Sequence, residues 1–227
     1  MTDIASSKKR DFTPAVPLLW AYDPIVAAFT RESTWRNALL RQLDPQASDV
    51  IADIGCGTGS FLSLFGRDMP PMKLIGIDPD VDILAKARAK LAAVNVAVAL
   101  RHGYLRDTAT ILSSVHVNKI ASSLVFHQVP LEEKRAGLKA IHAALVDYGE
   151  LHIADYGLQR TRLMRGLFRI VQHVDGFEDT QPNADGMLPV LMEEAGFADV
   201  QEITVIPTMA GSISLYRAVR PPQNAGR

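Results

Sequence analysis

Cysteine is almost missing from this sequence: Cys56 is the single one in 227 residues. One thiol excludes an intrachain disulfide framework and any metal site built from several cysteines. It also suits a reducing compartment. An excess of charge of either sign is lacking too, since 24 Lys and Arg against 25 Asp and Glu leave a formal net charge of -1. A general nucleic-acid binder carries a basic surplus, so no nucleic-acid partner is expected. No run of about 18 apolar residues occurs, and no membrane span is expected. Met1 to Arg10 hold no apolar stretch of the length a signal peptide needs, so a cytoplasmic location is expected. Repeats and low-complexity blocks are absent. What remains, 48% hydrophobic and 22% charged, is the composition of an ordinary globular protein.

Apolar residues Val26, Phe29, Trp35, Leu39 and Leu40 recur at helical spacing, which predicts a helical cap over residues 1–45 ending at Pro45. The main domain is expected over 46–227. Within it, short apolar runs alternate with helical stretches. Strands are predicted at Val50–Ile54, Lys73–Ile77, Val94–Leu100, Lys119–Val125 and Glu150–Ala154. Helices are predicted from Phe61, over Val81–Ala93 and over Leu131–Val146. Alternation of this kind implies an α/β fold with a mostly parallel sheet and helices on both faces. Thr161–Val174 and Leu188–Ala195 read as further helices, and Val200–Ile206 and Ser212–Val219 as a closing antiparallel hairpin. Ligands in such folds bind at the carboxyl ends of the strands.

The sharpest feature follows the first strand, at Asp53-Ile54-Gly55-Cys56-Gly57-Thr58-Gly59-Ser60. Glycines there let the backbone turn tightly and approach a ligand closely. A helix opening at this point would offer its N-terminal N–H groups to an anion. A dinucleotide fingerprint needs glycine three residues after its second glycine, where Ser60 stands, which disfavours a nicotinamide-dependent enzyme. Alone, the loop also fits an ordinary strand–helix turn. Asp78 closes the second strand, where a carboxylate can accept hydrogen bonds from a ribose diol. Loop and acid together point to a nucleoside-containing ligand.

Val50 to Gly59 resembles the first motif of class I S-adenosylmethionine (SAM)-dependent methyltransferases. Leu74–Asp78, Ala121–Pro130 and Tyr148–Ile153 resemble their second, fourth and fifth strand segments. The resemblance is nearest to small-molecule enzymes of ubiquinone and menaquinone biosynthesis, with Tyr22-Asp23 and Trp35-Arg36 adding to it. It implies a Rossmann-like seven-stranded sheet with an antiparallel C-terminal hairpin strand. It also implies SAM as cofactor and S-adenosylhomocysteine as product. By the same resemblance Gly55, Cys56 and Gly57 hold the methionine end, and Asp53 orients its ammonium. Asp78 holds the ribose, Pro79 lies against the adenine, and Tyr104 and Leu105 flank it. Ser122 offers its backbone carbonyl to the ammonium. Many relatives carry an acid where Tyr104 stands, so the adenine contact departs from the pattern here.

Methyl transfer from a positive sulfur needs mainly alignment, which can supply roughly 7–11 kcal/mol of a barrier. A base is required only for an acceptor of high pKa. His127, after the fourth strand, is the first candidate; packing against its loop is the plainer role. Asp155 and Tyr156 leave the fifth strand toward the same edge. Tyr22 is a candidate to close over the methyl group, or a core aromatic. Cys56 reads as a small loop residue and His152 as a buried, satisfied histidine. No metal is expected, since Asp155 is the one acid placed for it. The acceptor atom (O, N, C or S) stays open, and a SAM-binding regulator without catalysis is the alternative. A lid is expected over 158–185. In it Leu163, Met164, Leu167, Phe168, Ile170, Val171 and Val174 form an apolar stripe crowded by Arg160, Arg162, Arg165 and Arg169. Such a segment fits a solvated lid, or a peripheral membrane contact through 160–174 that would suit a lipophilic acceptor. Asp175–Asn183 reads equally as a mobile part of the lid or as a structural loop.

Overall fold

The computed structural model describes residues 31–66 and 69–222. Its centre is a seven-stranded sheet in the order β3-β2-β1-β4-β5-β7-β6. The strands are β1 (Val50–Ile54), β2 (Lys73–Asp78), β3 (Val98–His102), β4 (Val117–Ser123), β5 (Leu145–Tyr156), β6 (Ala198–Thr208) and β7 (Gly211–Val219). Only β7 runs antiparallel to its neighbours, β5 and β6. Helices α1 (Glu32–Leu43), α2 (Val81–Ala93), α3 (Thr108–Ile111), α4 (Leu131–Ala144), α5 (Arg162–Asp175), α6 (Phe177–Ala184) and α7 (Leu188–Glu194) surround it. This is the expected Rossmann-like architecture. Strands β1 and β2 are buried along nearly their whole length and correspondingly apolar, as parallel strands covered by helices must be.

The core forms two clusters. One gathers Trp35, Leu39 and Leu43 of α1 with Ile51, Phe61, Leu84, Leu91 and Phe168. The other gathers Ile54, Ile77, Leu138, Ile141, Ile153 and Leu191. Helix α1 therefore ends before Pro45 with its Trp35 and Leu39 face inward, as its spacing predicts. The earlier part of that expected helix lies outside the described residues, as does Tyr22.

Strand β5 begins at Leu145, earlier than the expected Glu150, and β4 spans Val117–Ser123, two residues earlier than expected. Three further departures have a local cause. The helix predicted from Phe61 is a single 3-10 turn at Leu62–Leu64, because Gly66, Pro70 and Pro71 follow closely and cannot continue it. A long helix dipole behind the glycine loop is therefore not available. The third strand begins at Val98 rather than Val94, since Asn95 takes a left-handed φ of 57° and closes the turn after α2. Asp175–Asn183 is no loop: Phe177–Ala184 is helix α6, entered through Gly176 at φ 92° and held by Thr180 Oγ1 donating to the Gly176 carbonyl at 2.6 Å.

Among the described residues no helix is long and apolar enough to cross a membrane. Among the same residues, no group of His, Cys, Asp and Glu side chains is arranged to hold a metal ion.

Candidate functional site

The parallel strands β1, β2, β4 and β5 end along one edge, and the glycine loop crosses it. Gly55, Gly57 and Gly59 all take positive φ, at 72°, 53° and 74°, a region that costs any other L-residue about 1–2 kcal/mol. The loop is tied down by the main chain: the N–H groups of Gly55 and Cys56 both donate to the Ile77 carbonyl, at 2.8 and 3.0 Å. A side chain at Gly55 would collide with Val125, whereas nothing lies within 4 Å of where a Cβ on Gly57 would stand. One glycine is needed for packing, the other faces open space.

Asp78 is buried at the end of β2, and one of its oxygens serves the glycine loop while the other serves the turn into α2. Oδ2 accepts the Gly57 N–H at 2.9 Å and Oδ1 the Asp80 N–H at 3.0 Å. Burial holds its carboxyl above the usual range despite those two bonds. Each oxygen keeps further acceptor capacity.

Asp53, one strand over on β1, is the anomaly. It is buried, and neither oxygen has a hydrogen-bond partner among the described residues. Burial pushes its carboxyl up to about 7, with the Arg36 guanidinium pulling down and Asp78 pushing up. Buried polar groups are nearly always hydrogen-bonded. This one waits for a donor.

Cys56 is buried, and burial drives its thiol far above neutrality, helped by the carboxylates of Asp53 and Asp78. It is no nucleophile. The Ser122 hydroxyl donates to the Ile54 carbonyl at 2.8 Å and so stitches β4 to β1. Pro79 sits half-buried with its carbonyl 2.9 Å from His102 Nε2. Tyr104 is half-buried with the Arg106 guanidinium 4.7 Å over its ring, while Leu105 is in the core.

On the far side of the glycine loop, β4 and β5 bring together a second group. The Asp155 carboxylate accepts the N–H groups of Val125 and Phe126 at 3.0 and 2.7 Å through Oδ2. Its Oδ1 accepts the Tyr156 N–H at 2.7 Å and lies 2.8 Å from His127 Nδ1. His127 Nε2 faces Asp175 Oδ2 at 3.4 Å, at the end of α5. Burial pushes the imidazole down, but the two carboxylates outweigh it and raise it to about 9. The Tyr156 ring stacks edge-on against His127 at 4.9 Å and meets Phe168 of α5 at the same distance.

Two participants carried no legible mark. Lys134, fully buried on α4, donates to the carbonyls of Phe126, Val129 and Asp179, the last two at 2.6 and 2.8 Å. Burial lowers it to about 8. Asp175 reads from sequence as a loop acid. Only in three dimensions do these residues clasp the 126–128 turn to the α5–α6 pair. His152 is buried with Nδ1 at 3.2 Å from Gln42 and Nε2 at 3.2 Å from Glu150. In register it lies level with Ala121 and Asp53, but its ring partners Gln42 and Glu150 lie toward the start of the strands. A cleft of about 450 Å³ opens there, lined by Lys119, Glu150 and Arg217. Its charges pair with one another, Arg217 with Glu150 and Lys119 with Asp49, so it is a structural seam away from the glycine loop.

Residues 51–149 match the family described as methyltransferase domain. Over 111 residues the chain is 34% identical to a carboxy-S-adenosyl-L-methionine synthase from Trichodesmium erythraeum, covering 48% of this chain and 43% of that protein. Over 53 residues it is 45% identical to a trans-aconitate 2-methyltransferase from Afipia carboxidovorans, covering 23% and 21%. The matched stretches thus span less than half the length of either relative. Magnesium protoporphyrin IX methyltransferase from Synechocystis, solved with bound SAH, superposes with a TM-score of 0.66 at 17% identity. That match covers 88% of this chain and 87% of the other, and it shows the shared fold.

Proposed function

We propose, from the methyltransferase domain of the SAM-dependent class that residues 51–149 form, that the whole chain transfers a methyl group from SAM to a small-molecule acceptor. The observation that carries this reading is Asp53. A buried carboxylate without a partner is costly, and a cationic ligand group at the glycine loop would relieve it. The amino-acid end of SAM supplies an ammonium of that kind. Asp78 retains acceptor capacity for ribose hydroxyls, and Gly57 leaves its side of the loop clear for close approach. We assign Asp53, Gly55, Cys56, Gly57 and the Ser122 carbonyl to the methionine end, Asp78 to the ribose, and Pro79, Tyr104 and Leu105 to the adenine side. The names of both curated relatives, which contain S-adenosyl-L-methionine or methyltransferase, support the same cofactor.

When bound, SAM supplies a methyl group already activated by a positive sulfur. The protein's part is to hold the acceptor in line, exclude water and manage a proton where the acceptor has one. We assign His127 to the proton. Both of its nitrogens face carboxylates, so it keeps its own proton through neutral pH and accepts another group's proton only toward pH 9. Asp155 acts as a positioning residue: by accepting the N–H groups of Val125 and Phe126 it fixes the turn in which Val125 packs where a Gly55 side chain would stand. Residues 158–185 form the lid, since Phe168 reaches the Tyr156 ring and Asp175 reaches His127. A lipophilic acceptor of the quinone-precursor kind, supported by that apolar lid, is the finer reading. A cytoplasmic location, supported by the single cysteine, completes it.

Calorimetry tests this with SAM, S-adenosylhomocysteine and NAD on the natural chain and on Asp78→Ala. Micromolar binding of the first two, lost in the variant, is expected. Binding of NAD alone would overturn it.

A further inference from the structure

Helix α5 presents two faces of opposite character. Its inner face carries Phe168 and Gln172, both buried, and Asp175, whose carboxylate turns to His127 at 3.4 Å. Its outer face leaves Leu163, Ile170 and Val174 exposed at 65%, 60% and 50%, and Phe177, opening α6, continues them at 49%. Steps of seven and four residues put Leu163, Ile170 and Val174 on one stripe of α5, and Phe177 follows them across the Gly176 break. They are four of the eleven large apolar side chains left exposed among the described residues, gathered within one short stretch. Scattered exposed apolar residues are ordinary, but a contiguous patch marks an interaction surface.

Along α5 itself the exposed charge is of one sign, with Glu178 following Phe177 at the start of α6. Arg162 and Arg169 fall on one flank, exposed, and no hydrogen bond or ion pair engages their guanidinium groups among the described residues. Arg165 is exposed as well and donates only its Nε, to the Gln159 carbonyl at 2.9 Å. The one acid of the helix, Asp175, is spent on the inner side. A cationic, apolar helix face therefore stands out on a chain whose net charge is -1.

We propose that the outer face of α5 docks on an anionic lipid bilayer, with the Leu163–Phe177 stripe at the acyl boundary and Arg162, Arg165 and Arg169 on lipid phosphates. Long arginine stems can lie along apolar surface while their heads reach the headgroup layer. Charge complementarity selects this occupant. A second copy pairing through the same face about a two-fold axis would bring the arginine flanks of both helices to one interface, with no acid on the helix surface to meet them. Because the inner face of α5 carries the contacts to Tyr156 and His127, docking would set the acceptor side of the site against the membrane. The proposal stands on binding alone and is tested without methyl transfer.

The test is co-sedimentation of the full chain with vesicles of phosphatidylcholine, with and without phosphatidylglycerol, at low salt. Binding to the anionic vesicles and little to the neutral ones is expected. Arg162→Ala with Arg169→Ala should weaken partitioning by roughly 25-fold, about five-fold per arginine. Ile170→Ser with Val174→Ser should weaken it by about ten-fold or more, since apolar burial drives insertion. All four positions are exposed, so both variants should melt as the natural chain does. Three results would each overturn the proposal. One is a natural chain that stays in the supernatant with anionic vesicles. Another is an apolar variant that binds as well as the natural chain. The third is a dimer that the Ile170/Val174 variant dissolves while no vesicle binding occurs.

Discussion

His127 and Asp155 form a buried pair, Nδ1 to Oδ1 at 2.8 Å, with the second ring nitrogen 3.4 Å from Asp175. The pair joins β5, the turn after β4 and the end of α5 at one ring. It has a pH signature. A histidine raised from 6.5 to about 9 adds stability that is fully present below pH 6.5 and is lost as pH rises through about 9. Urea unfolding at pH 6 and at pH 9.5 should show the loss. In His127→Gln this part of the difference should vanish. If His127 also serves as base, single-turnover transfer to a high-pKa acceptor should rise toward pH 9 and fall sharply in His127→Ala. An unchanged rate removes it from the chemistry.

Asp53→Asn separates binding from folding. The carboxyl, raised from 3.8 to about 7, costs native stability increasingly as pH climbs between those values. Asparagine removes the charge, so the variant should gain on the order of 2–4 kcal/mol at pH 8 in the absence of ligand. The same change should abolish the increase in melting temperature produced by SAM. A variant that is less stable, or that still responds to SAM, contradicts the role given to Asp53.

The two loop glycines should behave differently. Gly57→Ala meets only the backbone cost of its φ of 53°, about 1–2 kcal/mol, because no atom lies within 4 Å of the new Cβ. Its main effect should be on SAM affinity, read by calorimetry. Gly55→Ala adds a collision with Val125 to a φ of 72° and should cost clearly more stability, read by denaturant titration.

Lys134→Met should be among the most damaging single changes. It leaves the carbonyls of Phe126, Val129 and Asp179 without their shared donor in a buried setting. An unsatisfied buried acceptor costs about 1–3 kcal/mol, and three are at stake. Amide hydrogen exchange should also rise in α6 and in the 126–128 turn ahead of the sheet, since this ammonium holds them together.

Much of this architecture was legible beforehand, for physical reasons that differ by element. Val50–Ile54 and Lys73–Asp78 read as strands because burial on both faces demands unbroken apolar runs. The loop 55–59 read as a ligand turn because only glycine takes its left-handed positions cheaply. Where the reading failed, tertiary contacts overrode local preference. Valines at 94 and 96 favour a strand, yet the Asn95 turn comes first. The segment 175–183 offered a loop reading, yet Asn183 Nδ2 donates to the Tyr156 carbonyl at 2.9 Å and Phe177–Ala184 folds as α6 against the site.

By itself the sequence determined the order of strands and helices, the glycine loop, and the acids Asp53 and Asp78 at the ends of adjacent strands. These depend on near neighbours and on the periodicity of each element. The tertiary structure alone decided that Asp53 has no partner among the described residues, and that Asp155, 28 residues from His127, holds its ring. It alone decided that Asp175 meets that ring from the end of α5. Burial and pairing across such separations come from packing, and packing is what sets whether a carboxylate is solvated, bonded or left waiting.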